Sequence, residues 1–183
     1  MMGTQLSGRY SRGVAMVEMT IVTPVLLLLV VSVVEVTRAL QATSILTSVS
    51  REAASLASRG VSDSHQKIME GLANTTTPLD FPNHGTMYIT LVASDESERP
   101  FVAQQYRWRT NNLDADSKIW SDCTDWGADG ACLMPADRPN LVDFPMRLED
   151  GEAVYVVETL YDYKILSTLA FESDLELYAC TMM

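Results

Sequence analysis

Little in this chain points to chemistry. Its 183 residues include only two histidines and three cysteines. Three cysteines are too few for a disulfide scaffold, and they lack the close pairing of a zinc site. No G-x-S-x-G, H-E-x-x-H, phosphate-loop or dinucleotide fingerprint occurs. Asp and Glu are dispersed, and no pattern selects an acid/base pair. The expectation is a chain that is not an enzyme, carries no cofactor or metal and takes no small-molecule substrate. Positive charge is scarce too: 13 Lys+Arg face 24 Asp+Glu, a net −11. That balance argues against nucleic acid, whose phosphates need Lys and Arg. Apolar residues, at 47%, are plentiful enough for a core.

Charge is missing altogether from Met19 to Val34, where eleven of 16 residues are Leu, Ile or Val. Counted from Val14 the run is 21 residues with one acid, Glu18. At about 1.5 Å per residue it spans roughly 31 Å, the thickness of a hydrocarbon core. Its aliphatic residues favour insertion by about 4–5 kcal/mol. Glu18 sits near the end of the run, where a carboxylate costs less than the roughly 3 kcal/mol of mid-membrane. A buried soluble helix is the competing reading, but Leu26-Leu-Leu-Leu-Val-Val31 offers no polar edge. Arg9 and Arg12 precede the run and keep the N-terminus cytoplasmic. Residues 61–183 hold 8 Lys+Arg and 21 Asp+Glu, a balance of −13. The order is therefore basic leader, apolar segment, acidic domain. A cleaved secretory signal would need a small-x-small site, and only Ala39 or Ala42 is on offer, close to Glu35 and Arg38.

At the head of the run stands Gly13-Val14-Ala15-Met16-Val17-Glu18. A glycine closes a short basic leader, and an acid follows five residues later. This resembles the class III signal of type IV pilins and pseudopilins, which a prepilin peptidase cuts after the glycine. The resemblance implies a mature chain starting at Val14, with Glu18 as its fifth residue. Glu18 then lies one turn from a new α-amino group, near a helix N-terminus that favours a carboxylate. Inside a bilayer a neighbour's free amine pairs with Glu18. Removing either partner strands a buried charge at about 3–5 kcal/mol, which favours one axial register between subunits. The bland alternative is an incidental acid at a membrane boundary.

The stretch R-G-V-A-M-V-E-M-T-I-V-T-P, with Pro24 six residues after the acid, and then Ser50-Arg51-Glu52-Ala53-Ala54, resembles the TadE family of the tight-adherence (Flp) pilus machinery. The motif-rich likeness covers about residues 9–60. Met19 departs from the family's usual Phe or Tyr but stays apolar. The resemblance implies a minor pseudopilin that helps to build or prime the pilus. Its partners would be the membrane, pilin and other minor pseudopilin subunits, the prepilin peptidase and the inner-membrane assembly platform. It does not separate TadE from its relative TadF. The runner-up is a membrane-anchored periplasmic binding or adhesin module that keeps its leader.

The expected division is 1–13 leader, 14–34 transmembrane helix, 35–60 periplasmic continuation of that helix, and 61–183 periplasmic domain. Val36, Leu40, Ile45, Val49, Ala53 and Leu56 recur at spacings of three to five, with Ala39, Leu46 and Ala57 beside them and Gly60 as the stop. Glu35 and Arg38 are spaced to pair at the outer interface. Pro24 either kinks the membrane part or is absorbed in a straight helix. Asp63 with Gln66 reads as a capping pair for a short helix to about residue 73. Residues 74–78 and 81–85 read as loops. Met87–Val92 and Val102–Trp108 read as a hairpin, Ala153–Tyr163 as a central strand apolar on both sides, and Leu175–Cys180 as a final strand. Residues 110–150 are long for a structureless loop, so short elements are expected there. The fold class is α+β, with the outer half of a long helix packed on an antiparallel sheet of about four strands.

Cys123 and Cys132 flank a Gly-rich stretch that closes easily, and a disulfide there would contribute about 2–3 kcal/mol. Three single pairings exist with Cys180, and the sequence does not choose. Asn112–Asp116 resembles the start of a calcium loop, but Ser117 replaces the glycine and Cys123 the bidentate Glu, so a solvated acidic loop is expected. His65 reads as exposed on its helix, and His84 as a loop residue. Trp108, Trp120 and Trp126 with Tyr106 read as core or loop anchors before they read as a binding surface.

Overall fold

The structure, a computed structural model, describes residues 7–60, 64–110, 112–135, 137–165 and 175–183. Helix α1 (Ser7–Ser58) is followed by α2 (His65–Ala73) and α3 (Phe81–His84), then strands β1 (Gly85–Ser94), β2 (Pro100–Arg107), β3 (Ala153–Tyr163) and β4 (Leu175–Met182). The strands form one antiparallel sheet in the order β2-β1-β3-β4. The result is the expected α+β arrangement, a long helix on a four-stranded sheet.

Helix α1 runs without interruption through Pro24. It ends at Ser58; Gly60 takes φ +60° and donates its N–H to Ala57 O at 3.3 Å. A left-handed residue at that place suits glycine, which has no Cβ to clash. From Ala15 on, only the C-terminal part of α1 is buried, through residues that include Ala42, Leu46, Val49, Ala53, Ala54 and Ala57. The face expected from the spacing is buried at Leu46, Val49, Ala53 and Ala57, whereas Val36 and Leu40, nearer the apolar run, are 59% and 66% exposed. Four alanines let the helix axis lie close to β3 and β4, which a row of larger side chains would hold off. Ser50 Oγ and Thr181 Oγ1 share a 2.8 Å hydrogen bond across that seam, and Thr159 Oγ1 donates to Leu46 O at 3.4 Å.

The cap of α2 is Ser64, whose Oγ accepts from Gln66 N at 3.3 Å; Asp63 lies outside the described residues. Gln66 is a bridge rather than half of a capping pair. Its Nε2 donates to Arg107 O at 2.7 Å and its Oε1 accepts from Arg109 N at 3.1 Å, tying α2 to the end of β2. Residues 81–84 are helical where a loop is expected, with Pro82 in the first turn, where its missing N–H costs nothing.

Strand β3 is buried on both faces because each is covered by a different layer. Val157, Tyr161 and Tyr163 belong to the core shared with α1 and α2. Val154 and Val156 belong to a second core with Val92 and Leu148, joined by Ile119, Leu141 and Phe144. The second layer is residues 112–150, and here the expectation of hidden elements is wrong. Among its described residues there is no helix and no strand, only single bridges such as Tyr106↔Ala131 and Trp126↔Cys132. The segment is ordered by bonds to the sheet as well as by a tight turn of its own around residues 125–133. Arg107 N donates to Gly130 O and Cys132 N to Gln105 O, both at 2.8 Å. Val102 N donates to Pro139 O at 3.0 Å and Leu141 N to Pro100 O at 2.8 Å. The coil thus occupies the outer edge of β2, which would otherwise expose unpaired backbone groups.

Candidate functional site

The site residues expected from the sequence fall in two places that do not meet. Gly13, Val14, Glu18 and Pro24 all lie in the N-terminal part of α1. From Ala15 to Val34 every residue is exposed, and the large apolar side chains are 42–76% exposed, from Val22 to Met16. A continuous apolar helix without cover is far beyond the scattered hydrophobes of an ordinary surface. Helix α1 is long and apolar enough to cross a membrane, with no part of that apolar window buried in the rest of the chain.

Its polar groups are arranged for an apolar solvent. Thr20 Oγ1 donates to Met16 O at 2.8 Å, Thr23 Oγ1 to Met19 O at 2.7 Å, and Ser32 Oγ to Leu28 O at 2.8 Å. Each hydroxyl is satisfied within the helix, which removes the penalty of an unpaired O–H in lipid. Pro24 brings no N–H to the carbonyl of Thr20, and that carbonyl is left without its usual donor. Glu18 presents an exposed carboxylate on the same run. This half of α1 therefore offers an oily cylinder, one acid near its head and, two residues later, one carbonyl without its usual donor. Those are features that neighbouring helices can complete.

The second place is the coil layer. Cys123 and Cys132 are disulfide-bonded, with Cα atoms 6.1 Å apart, and Cys180 is free and half-buried on β4. Burial pushes the Cys180 thiol up from its ordinary pKa. The acids Asp114, Asp116, Asp122, Asp125 and Asp129 are exposed, and among the described residues no group of three or more His, Cys, Asp or Glu is placed to hold a metal. His65 is half-buried, not exposed as the sequence suggests. Its ring stacks on Tyr106 with centroids 4.1 Å apart, and burial lowers its pKa. His84 sits in α3, edge-on to Tyr161 at 6.5 Å. Trp108 and Trp120 are buried anchors. Trp126 is half-buried under the Arg107 guanidinium, which lies 4.9 Å from its ring centroid.

Sequence reading passed over two residues that organise this layer. Glu158, in the middle of β3, is fully buried. Its carboxylate accepts from Ser117 Oγ, from Lys118 N at 2.8 Å, from Ile119 N at 3.2 Å and from Tyr178 Oη at 3.0 Å. The signal was an acid at the centre of a strand apolar on both sides, a place where a carboxylate persists only with several donors. Gln105, 1% exposed, donates to Trp120 O at 2.9 Å and lines a cleft of about 350 Å³ with Tyr88, Arg107, Trp120 and Trp126. Gln105 Oε1 and Trp120 Nε1 are buried there without a hydrogen-bond partner among the described residues.

Residues 13–55 match the family model described as TadE-like protein. The match begins at Gly13, covers the whole exposed apolar run and ends within the buried part of α1. No curated protein and no solved structure matches the chain. The match covers less than a quarter of the chain, and the one long apolar helix among the described residues fits a single-pass membrane anchor.

Proposed function

We propose, from the premise that residues 13–55 are a TadE-like segment, that the chain is a minor pseudopilin acting in assembly or priming of a tight-adherence pilus. In this reading a prepilin peptidase cuts between Gly13 and Val14. The apolar half of α1 then packs among pilin and other minor pseudopilin helices in the inner membrane. The N-terminus lies on the cytoplasmic side, and the sheet domain and its coil layer lie in the periplasm. The chain does no chemistry of its own.

The observation that carries this reading is the division of one 52-residue helix into two halves. The C-terminal half is fixed to a folded domain by alanine-rich packing, and the stretch from Ala15 to Val34 is bare. A domain mounted rigidly on a membrane helix transmits the register of that helix to whatever the domain meets. Glu18 supports the same reading, as the carboxylate a neighbour's α-amino group would pair with.

One observation favours the runner-up, a membrane-anchored binding module that keeps its leader. It is the cleft beside Gln105 and Trp120, with a buried acceptor and a buried donor facing no partner among the described residues. N-terminal sequencing of chain extracted from membranes decides between the two. Val14 at the N-terminus supports the pseudopilin, and an intact leader supports the plain anchor.

A further inference from the structure

We propose that the pocket where α1 leaves its apolar run binds the phosphodiester headgroup of an anionic phospholipid. The inference rests on the membrane reading of that run. The pocket has a volume of about 250 Å³ and lies between α1, α3 and the end of β3. The rings of Tyr161 and Tyr163, both buried, form one wall. Arg38, Gln41 and Lys164, all exposed, and half-buried His84 also line it.

Depth is the first argument. Arg38 follows Val34 by four residues, or about 6 Å of helix. The headgroup layer occupies roughly 5–7 Å beyond each face of the hydrocarbon core. The Arg38 guanidinium is therefore at phosphate level when the run to Val34 fills the core. Charge is the second. Two cations line the pocket and no carboxylate does, in a chain whose residues 61–183 carry a balance of −13. The acids close by are turned to other work or stand outside the lining. Glu35 Oε2 accepts from Tyr163 Oη at 3.4 Å, and Asp80 and Asp162 act on Tyr161 from outside the pocket.

Donor chemistry is the third argument. A guanidinium fork meets two phosphate oxygens at once, an ammonium adds a point charge, and the Gln41 amide supplies a further N–H. Tyrosine rings suit the boundary between oil and headgroups, where an apolar body and a polar tip are both solvated. With two cations and no carboxylate in its lining, the site prefers net negative lipid to a zwitterionic headgroup. Each cation is worth about a fivefold preference.

The test is made on the full chain reconstituted into vesicles of equimolar phosphatidylglycerol and phosphatidylethanolamine. After mild detergent extraction, retained lipid is counted by native mass spectrometry. The expected result is retention of phosphatidylglycerol over phosphatidylethanolamine by about tenfold or more. That preference falls to parity in Arg38→Gln/Lys164→Gln and persists in Arg51→Gln/Arg59→Gln. If the double variant loses its circular dichroism, Arg38→Gln alone is expected to lose about fivefold. Absence of preference in the unaltered chain, or preference unchanged by these variants, overturns the proposal. Displacement of the lipid by excess inorganic phosphate overturns the lipid assignment in favour of a free-anion site. A chain that stays in the aqueous phase overturns the membrane reading and this proposal together. A chain that enters vesicles without lipid preference overturns this proposal alone.

Discussion

Replacing Glu158 with Ala should detach the coil layer from the sheet. The carboxylate is fully buried and accepts four hydrogen bonds, two from backbone N–H groups of Lys118 and Ile119 and two from the hydroxyls of Ser117 and Tyr178. Truncation leaves four donors without their acceptor and a hole between β3 and the coil. A buried donor left unpaired costs about 1–3 kcal/mol, but the coil can move and let water reach some of them. The expected loss is therefore about 3–5 kcal/mol. Glu158→Gln keeps one carbonyl oxygen for the two backbone donors and places an NH2 group against the Ser117 hydroxyl, which can rotate to accept. It should cost about 1–2 kcal/mol. The assay is denaturant unfolding of the full chain in micelles, followed by tryptophan fluorescence, which reports on Trp120 and Trp126 in the affected layer. Hydrogen exchange adds a local readout, since the amides of Lys118 and Ile119 should exchange faster while those of β3 and β1 stay protected. An Ala variant within about 0.5 kcal/mol of the unaltered chain, with those two amides still protected, would refute the idea that this carboxylate organises the layer.

Glu18→Ala should leave cleavage after Gly13 largely intact and impair piliation; normal piliation in that variant would remove the register argument. Cys123→Ser/Cys132→Ser should lower the unfolding free energy by about 2–3 kcal/mol, and non-reducing peptide mapping of the unaltered chain should recover the 123–132 linkage. Gly130→Ala should cost about 3 kcal/mol in the same denaturation assay. Gly130 holds φ +74°, and a Cβ there would run into Gln66 Nε2 and Arg107 O. Burial lowers the pKa of His65 below its ordinary 6.5. Its share of stability is therefore present above about pH 6.5 and is lost as pH falls, because the unfolded state takes up the proton first. His65→Phe should flatten that part of the pH profile of Tm, and an unchanged profile would show that another group sets it.

The local elements were legible because their causes are local. Alternating Val, Tyr and Leu give β1, β3 and β4 with only small errors at the ends, and Gly60 marks the stop of α1. The face of α1 that meets the sheet was legible at Leu46, Val49, Ala53 and Ala57. Where that burial begins was not, for Val36 and Leu40 share the periodicity but lie before the sheet covers the helix. His65 looked exposed because its burial comes from Tyr106, a residue on another element.

What the sequence determined alone is the uncharged run, the acid and glycine at its head, and hence a helix long and apolar enough to cross a membrane and the TadE-like character of residues 13–55. These follow from hydropathy and short-range spacing, which need no partner in space. Only the tertiary structure decided what residues 112–150 do. Their backbone bonds go to the edge of β2 and to Glu158, donors and acceptors distant in sequence, so no periodicity within the segment records them. The same holds for the pocket of Arg38 and Lys164, two cations 126 positions apart that become neighbours only when β3 returns to the foot of α1.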